Sequence, residues 1–125
     1  CSECPKYRND WKSEITFWLN ETELATYLSP GDLGGRKGIM TPLSWASTAT
    51  QYGILKNVVV NEFGTFIDGA LVSNVTIDDI EMRNSIIRLR IGVKKDAKFC
   101  GGINIFGKKF GDYPQNITMI IEYQE

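Results

Sequence analysis

Phosphate binding is the first chemistry that the sequence suggests. Residues 29–42, SPGDLGGRKGIMTP, contain four glycines together with Arg36 and Lys37. A phosphate-binding loop needs its glycines directly before a helix, where free backbone amides and the helix dipole meet the anion. Here Pro42 and β-favouring residues follow instead, and the Walker spacing is absent. The segment therefore predicts a wide turn between strands, with Arg36 and Lys37 as donors on its rim.

The sequence offers few residues for catalysis or metal binding. The sequence has no histidine, which excludes Ser-His-Asp and Cys-His catalytic arrangements. Cys1, Cys4 and Cys100 supply at most three thiolates, one fewer than the four ligands of a closed structural zinc site. Their odd number also argues against a disulfide framework. We expect no metal site, no cofactor and no enzyme activity.

Acidic residues are plentiful, but their positions favour turns. The stretch IDDIEM brings Asp78, Asp79 and Glu81 close together in sequence and is open to two interpretations, a cation site or a solvated turn. The solvated turn is favoured because such residues usually stay exposed. Glycoside hydrolysis would need two carboxylates about 5–9 Å apart across a cleft, and no activated nucleophile is visible.

Length and charge define the class of protein. A chain of 125 residues is a common size for one domain. Lys plus Arg total 14 against 15 Asp plus Glu, a net charge of −1, which gives no electrostatic basis for gripping nucleic acid or an anionic membrane. No apolar run approaches the roughly 20 residues of a membrane span. We therefore expect a soluble protein with no membrane partner.

The hydrophobic pattern has a period of two, which is typical of strands with one buried face. In SEITFWLN, residues 15, 17 and 19 are apolar, and in SIIRLRIGV isoleucine and leucine alternate with Arg88 and Arg90. In EFGTFIDGALV, Asp68-Gly69 separates two apolar runs, a strong hairpin signal. NITMIIEYQ predicts a last strand.

These short strands and glycine-rich turns predict an all-β fold. We expect residues 1–125 to form one antiparallel β-sandwich of the jelly-roll (galactose-binding-like) type. Residues 1–13 have the composition of a loop, which suggests that the chain is a piece of a longer protein. A second glycine cluster, CGGINIFGKKFGDYPQN at residues 100–116, predicts an Ω-like loop packed over the sandwich rather than a site.

The order of several motifs resembles a known family. The segments CSECPKYRNDW, ITFWLN, SPGDLGGRKG, TQYG, FIDG, IRLRIGVKKDAK and GGINIFGKKFGDYPQ occur in this order along nearly the whole chain. In this respect the chain is similar to the C-terminal region of bacterial ArsR-like winged-helix transcriptional regulators. The resemblance implies a cytoplasmic regulator whose DNA-binding helices lie upstream of Cys1, so that DNA is a partner only through that absent part. It does not imply metal sensing, because no cluster of thiols stands in this region.

A β-sandwich domain attached to a DNA-binding regulator is compatible with two roles. The first is binding of a small polar effector such as a saccharide, which would shift the equilibrium between DNA-competent and incompetent dimers. Aromatic, amide and Arg side chains at loop ends favour this role, and the candidate ligand-binding residues are Asn9, Asp10, Trp11, Arg36, Trp45, Gln51 and Tyr52. Each of the three Trp side chains has packing as its alternative.

The second role is a dimerisation or protein-interaction module without a small ligand. Apolar stretches such as NVVVN and ITMIIEY could supply an interface between two regulator chains, a homodimer. We expect this role to be favoured where Trp18, Val59 and Ile121 form one exposed apolar patch.

Overall fold

The structure, a computed structural model, describes residues 12–30, 38–41, 44, 53–81, 86–103 and 105–122. The described chain forms two three-stranded antiparallel sheets. The strands are β1 (Ser13–Leu19), β2 (Thr22–Ser29), β3 (Val58–Val60), β4 (Thr65–Ile67), β5 (Ala70–Ser73) and β6 (Leu89–Gly92), with a 3-10 helix at Ile77–Asp79 between β5 and β6. The strand orders are β2-β1-β6 in the first sheet and β3-β4-β5 in the second. The predicted all-β, antiparallel class is confirmed. No helix in these residues has the length and apolar character of a membrane span.

Two tight hairpins are built on turns that need left-handed backbone. Asn20 and Glu21 join β1 to β2 with φ of 48° and 70°, and Asp68 and Gly69 join β4 to β5 with φ of 50° and 85°. Positive φ at both central residues is the requirement of a type I′ turn, whose twist matches that of the flanking strands. The hairpin predicted at Asp68-Gly69 is confirmed.

The side chain of Asn20 ties the first hairpin to the start of β6. Its Nδ2 donates to the carbonyl of Glu81 at 3.0 Å, and its Oδ1 accepts from the amide of Arg88 at 2.9 Å. The Asn20 amide itself donates to the Arg88 carbonyl at 3.0 Å. One residue in a tight turn thereby fixes both ends of the connection that enters β6.

A β-bulge adapts β2 to the core. Phe17 of β1 lies opposite Ala25, whereas the next residue, Trp18, lies opposite Glu23, which leaves Leu24 as the extra residue. An extra residue lets two consecutive side chains lie on the same side of the sheet. Leu24 and Ala25 are accordingly both buried, at 4% and 7% exposure.

The alternation predicted for SIIRLRIGV is present in the register of β6. Leu89 pairs with Leu19 and Ile91 with Phe17, so apolar residues share one face. Beyond β6 the chain turns and returns beside β1, where the Glu14 amide donates to the Phe99 carbonyl at 2.9 Å. This return brings the second glycine cluster to the edge of the first sheet.

The sheets meet through β2, which contacts both β4 and β5. The buried apolar residues of the described chain are Leu24, Ala25, Ile67 and Ile80. Two of the buried hydroxyl groups are hydrogen-bonded: Thr16 Oγ1 lies 2.8 Å from Thr26 Oγ1, and Thr65 Oγ1 donates to the Val75 carbonyl at 2.8 Å. These bonds offset the cost of removing hydroxyl groups from water. The buried Ser13 Oγ has no hydrogen-bond partner among the described residues.

The acidic segment after β5 forms a turn as predicted, whereas the described part of the last predicted strand is not in a sheet. The Asp79 carboxylate accepts from the Thr76 amide at 2.8 Å and the Thr76 hydroxyl at 3.1 Å, which agrees with the turn interpretation of IDDIEM. The last predicted strand is not formed, because residues 116–122, the described part of it, belong to neither sheet.

Candidate functional site

An open cleft lies in the second glycine cluster. Its volume is about 410 Å³, and it is widely open to solvent. The lining residues are Gly107, Lys108, Lys109, Phe110 and Asn116. Two lysines and one asparagine therefore line the same space, and the side chains of these residue types donate hydrogen bonds to hydroxyl, carboxylate or phosphate oxygens.

The shape of the cleft depends on an asparagine held against a glycine. The Asn116 Oδ1 accepts a hydrogen bond from the Lys108 amide at 3.0 Å. A Cβ atom at position 107 would lie 2.9 Å from that oxygen, so a larger residue there would require the Asn116 side chain to shift. A turn with a 3.3 Å hydrogen bond from the Phe110 amide to the Gly107 carbonyl completes the loop.

The end of the first glycine-rich segment is hydrogen-bonded to this loop. The Met40 amide donates to the Gly111 carbonyl at 2.8 Å, and the Gly111 amide donates to Thr41 Oγ1 at 3.2 Å. Gly111 has φ of 80°, a conformation that glycine adopts without a Cβ penalty. Residues 38–41 and 107–111, which are far apart in sequence, thus meet at one point.

A third segment reaches the loop through aromatic packing. A Cβ atom on Gly53 would lie 2.9 Å from the Phe106 ring, so the ring rests directly on the backbone of residue 53. Phe106 in turn packs edge to face on Phe110, with ring centroids 4.9 Å apart and an interplanar angle of 69°. This geometry is favourable for aromatic pairs and connects Gly53 to a residue that lines the cleft.

All the residues predicted to bind ligand lie outside the described residues, namely Asn9, Asp10, Trp11, Arg36, Trp45, Gln51 and Tyr52. Their described neighbours in the sequence nevertheless contact the second glycine cluster. Lys12, next to Trp11, accepts a 3.0 Å hydrogen bond from the Gly101 amide through its carbonyl. Gly53, next to Tyr52, contacts Phe106.

Lys108, Lys109 and Asn116 were not predicted as site residues. The signal that could have indicated them is the sequence FGKKFG, in which two adjacent lysines stand between glycines and phenylalanines. Sequence reasoning assigned this segment to loop packing, which is correct for Phe106 and Phe110. It could not show that the loop leaves an open space on its lysine side.

Trp18 of β1 is half-buried against the neighbouring strand β6. The Arg90 guanidinium lies 4.0 Å from the centre of the Trp18 ring, a cation–π contact between directly paired residues of β1 and β6. The Gly92 Cβ position is 3.7 Å from the same ring. Packing therefore accounts for this tryptophan.

An ion pair connects the second hairpin to the segment before β3. Lys56 Nζ lies 2.8 Å from Asp68 Oδ2 and 4.3 Å from the centre of the Tyr27 ring. The hydrogen bond from Lys56, with another from the Asn57 amide, lowers the pKa of Asp68 below its ordinary value. The hydrogen bond to Asp68 raises the pKa of Lys56, against a smaller opposing effect of desolvation. Both groups are partly exposed, so this pair is structural and weak.

Among the described residues, no three His, Cys, Asp or Glu side chains are grouped as a metal site requires. The chain thus belongs, at the level of its fold, to the all-β proteins built from antiparallel sheets. Scans against protein-family models, curated proteins and solved structures gave no match to this chain.

Proposed function

We propose that this chain is the effector-binding domain of a bacterial, cytoplasmic, ArsR-like transcriptional regulator. In this proposal it folds as a jelly-roll sandwich and binds a small polar molecule such as a saccharide in the cleft of residues 107–116. DNA is contacted only by a winged-helix part elsewhere in the regulator. The resemblance of the ordered motifs to this family supports the regulatory context.

The observation that carries the ligand-binding role is the convergence on the second glycine cluster. Segments 38–41, Gly53 and Lys12 each contact that cluster through a hydrogen bond or a ring. In sequence they lie within two residues of Trp11, Arg36 and Tyr52, three of the candidate ligand-binding residues. Loop ends that converge beside a cleft are the usual location of binding residues on a rigid β scaffold.

The donors around the cleft fit a ligand that is rich in oxygen. Lys108 and Lys109 offer charged donors, and Asn116 offers an amide whose oxygen is already engaged by a backbone amide. In the proposed mechanism, Arg36 and the loop aromatics close on the ligand. The change in loop position then alters the geometry of the attached DNA-binding dimer, which is an allosteric coupling between two sites.

A thermal-shift screen tests this proposal. The chain is heated with neutral sugars, sugar phosphates, nucleosides and divalent metal ions in parallel. A ligand at about 100 times its dissociation constant stabilises the folded state by roughly 2.7 kcal/mol, which corresponds to several degrees for a domain of this size. We expect a shift with one class of sugar or sugar phosphate.

Variants locate the site. Lys109→Ala and Arg36→Ala are expected to remove the shift while leaving the unfolding temperature without ligand nearly unchanged. Lys95→Ala is the matched control, because Lys95 is also exposed but does not line the cleft. A screen without any stabilising ligand would contradict the proposal, as would a shift that Lys95→Ala reduces as much as Lys109→Ala.

A further inference from the structure

Residues 117–121, Ile-Thr-Met-Ile-Ile, form an exposed apolar segment that has no partner strand in the described part of the chain. Every apolar residue in it is exposed, and Ile120 reaches 81%. Within the described part of the chain, no backbone amide of residues 117–122 donates a hydrogen bond to another residue. β-branched residues with free backbone groups form a template for pairing with another strand.

We propose that this segment pairs, antiparallel, with the same segment of a second copy of the chain, around a two-fold axis at Met119. In this register Ile117 lies opposite Ile121, and Thr118 lies opposite Ile120. A two-fold axis makes the contact self-complementary and closed, so it yields a dimer rather than a fibre. This inference concerns assembly and is independent of the proposed ligand.

The sequence of the segment fits itself in this register. The only charged residue nearby, Glu122, lies opposite Asn116, so no like charges face each other across the pair. The three cross-strand pairs nearest the axis contain only apolar or β-branched side chains, which stabilise antiparallel strands. Pairing would also give acceptors to the backbone amides of residues 117–122, which donate to none of the described residues.

Exposure distinguishes the two faces of the segment. Met119 and Ile121 are 44% and 41% exposed, whereas Ile120 between them is 81% exposed. Their own chain therefore already covers part of the side that carries Met119 and Ile121, and a partner would cover the rest. The wider patch expected from the sequence does not include Trp18, because Arg90 and Gly92 cover its ring.

Sedimentation velocity over a wide range of concentrations tests the dimer. A five-residue strand pair buries less than the roughly 1,200–2,000 Å² of stable interfaces, so we expect a dimer that dissociates on dilution. Met119→Lys places two like charges directly opposite each other and is expected to leave only monomer. Ile39→Lys is the control, since Ile39 is 84% exposed outside the segment, and it should dimerise like the unaltered chain.

Cysteine cross-linking tests the register. In a background with Cys1, Cys4 and Cys100 changed to Ser, Met119→Cys faces itself across the axis, at a Cα separation of about 4.5–5.5 Å that permits a disulfide. Thr118→Cys faces residue 120 instead and lies about 8 Å from its copy, too far for a bond. We expect an oxidised dimer with Met119→Cys and not with Thr118→Cys.

Two results would overturn the inference. One is a monomer at every concentration together with no preference for cross-linking at position 119. The other is a dimer that persists in Met119→Lys or that cross-links equally at positions 118 and 119, because such a dimer uses a different surface. Ligand binding would be unaffected by either result, so the failure of this inference and of the proposed function are distinguishable.

Discussion

Exchanging side chains at the two hairpin turns should change stability in opposite directions. Glu21 and Gly69 occupy the same position in their turns, with φ of 70° and 85°. Left-handed backbone costs a residue with a side chain roughly 1–2 kcal/mol, whereas glycine loses about 0.4–1 kcal/mol more in unfolded-chain entropy. Glu21→Gly is therefore expected to stabilise the fold by about 0.5–1 kcal/mol.

The reverse change should destabilise by a similar amount. No atom lies within 4 Å of the Cβ position of Gly69, so Gly69→Ala introduces backbone strain without a clash. We expect a loss of about 0.5–1 kcal/mol. Urea unfolding followed by circular dichroism measures the free energy of unfolding of both variants. In thermal unfolding, their unfolding temperatures should move by roughly 2–5 °C in opposite directions.

A third variant isolates the backbone effect. Glu62 is exposed like Glu21, but it is not among the described residues with positive φ. Glu62→Gly should therefore lose stability from chain entropy alone. If Glu21→Gly proves no more stable than Glu62→Gly, or if Gly69→Ala matches the unaltered chain, the assignment of strain to these turns is wrong.

Three further predictions concern contacts of single side chains. Asp68→Asn keeps a turn-forming Asn-Gly sequence and removes one charge. Because the pKa of Asp68 is lowered in the folded state, the Asp68 carboxylate contributes less than about 1 kcal/mol to the free energy of unfolding. This contribution is present above about pH 4 and is lost as the pH falls below that value. The variant should thus lose less stability than the unaltered chain between pH 5 and about pH 3, as urea unfolding at each pH will measure, and an equal loss would contradict this. Arg90→Ala should cost about 0.5–1 kcal/mol through the lost contact with Trp18, with Arg90→Lys regaining part of it in the same assay; equal losses would argue against a cation–π role. Gly53→Ala should cost about 1–3 kcal/mol because the new Cβ crowds the Phe106 ring, and a second change, Phe106→Leu, should restore part of the thermal stability unless the clash is with another group.

Local chemistry determined much of the fold. The period-two patterns around Phe17 and Arg90 predicted strands, and β1 and β6 are formed there. The pattern did not predict which face is buried, since the buried side chains of β1 are Ser13 and Thr16. Asp68-Gly69 predicted its turn, since these residues tolerate the left-handed backbone that a type I′ turn requires. The turn at Asn20-Glu21 carries no glycine, and only the structure revealed its geometry.

The sequence did not predict the long-range contacts. The bulge at Leu24 depends on how β2 packs against β4 and β5, which no local pattern encodes. The NITMIIEYQ segment has strand propensity, yet a strand also needs a partner, and residues 116–122 find none in the described sheets. Propensity predicts that a segment can be extended, whereas pairing is decided by what lies beside it.

The candidate site shows the same division. Two glycine-rich segments are evident in the sequence, as are the cations Arg36, Lys108 and Lys109 within them and the exclusion of histidine chemistry. The hydrogen bonds between residues 38–41 and 107–111, and the cleft that the two lysines line, became visible only in the folded chain. Residue types limit which bonds a segment can make, whereas the folding of the sheets sets which distant segments come within hydrogen-bonding distance.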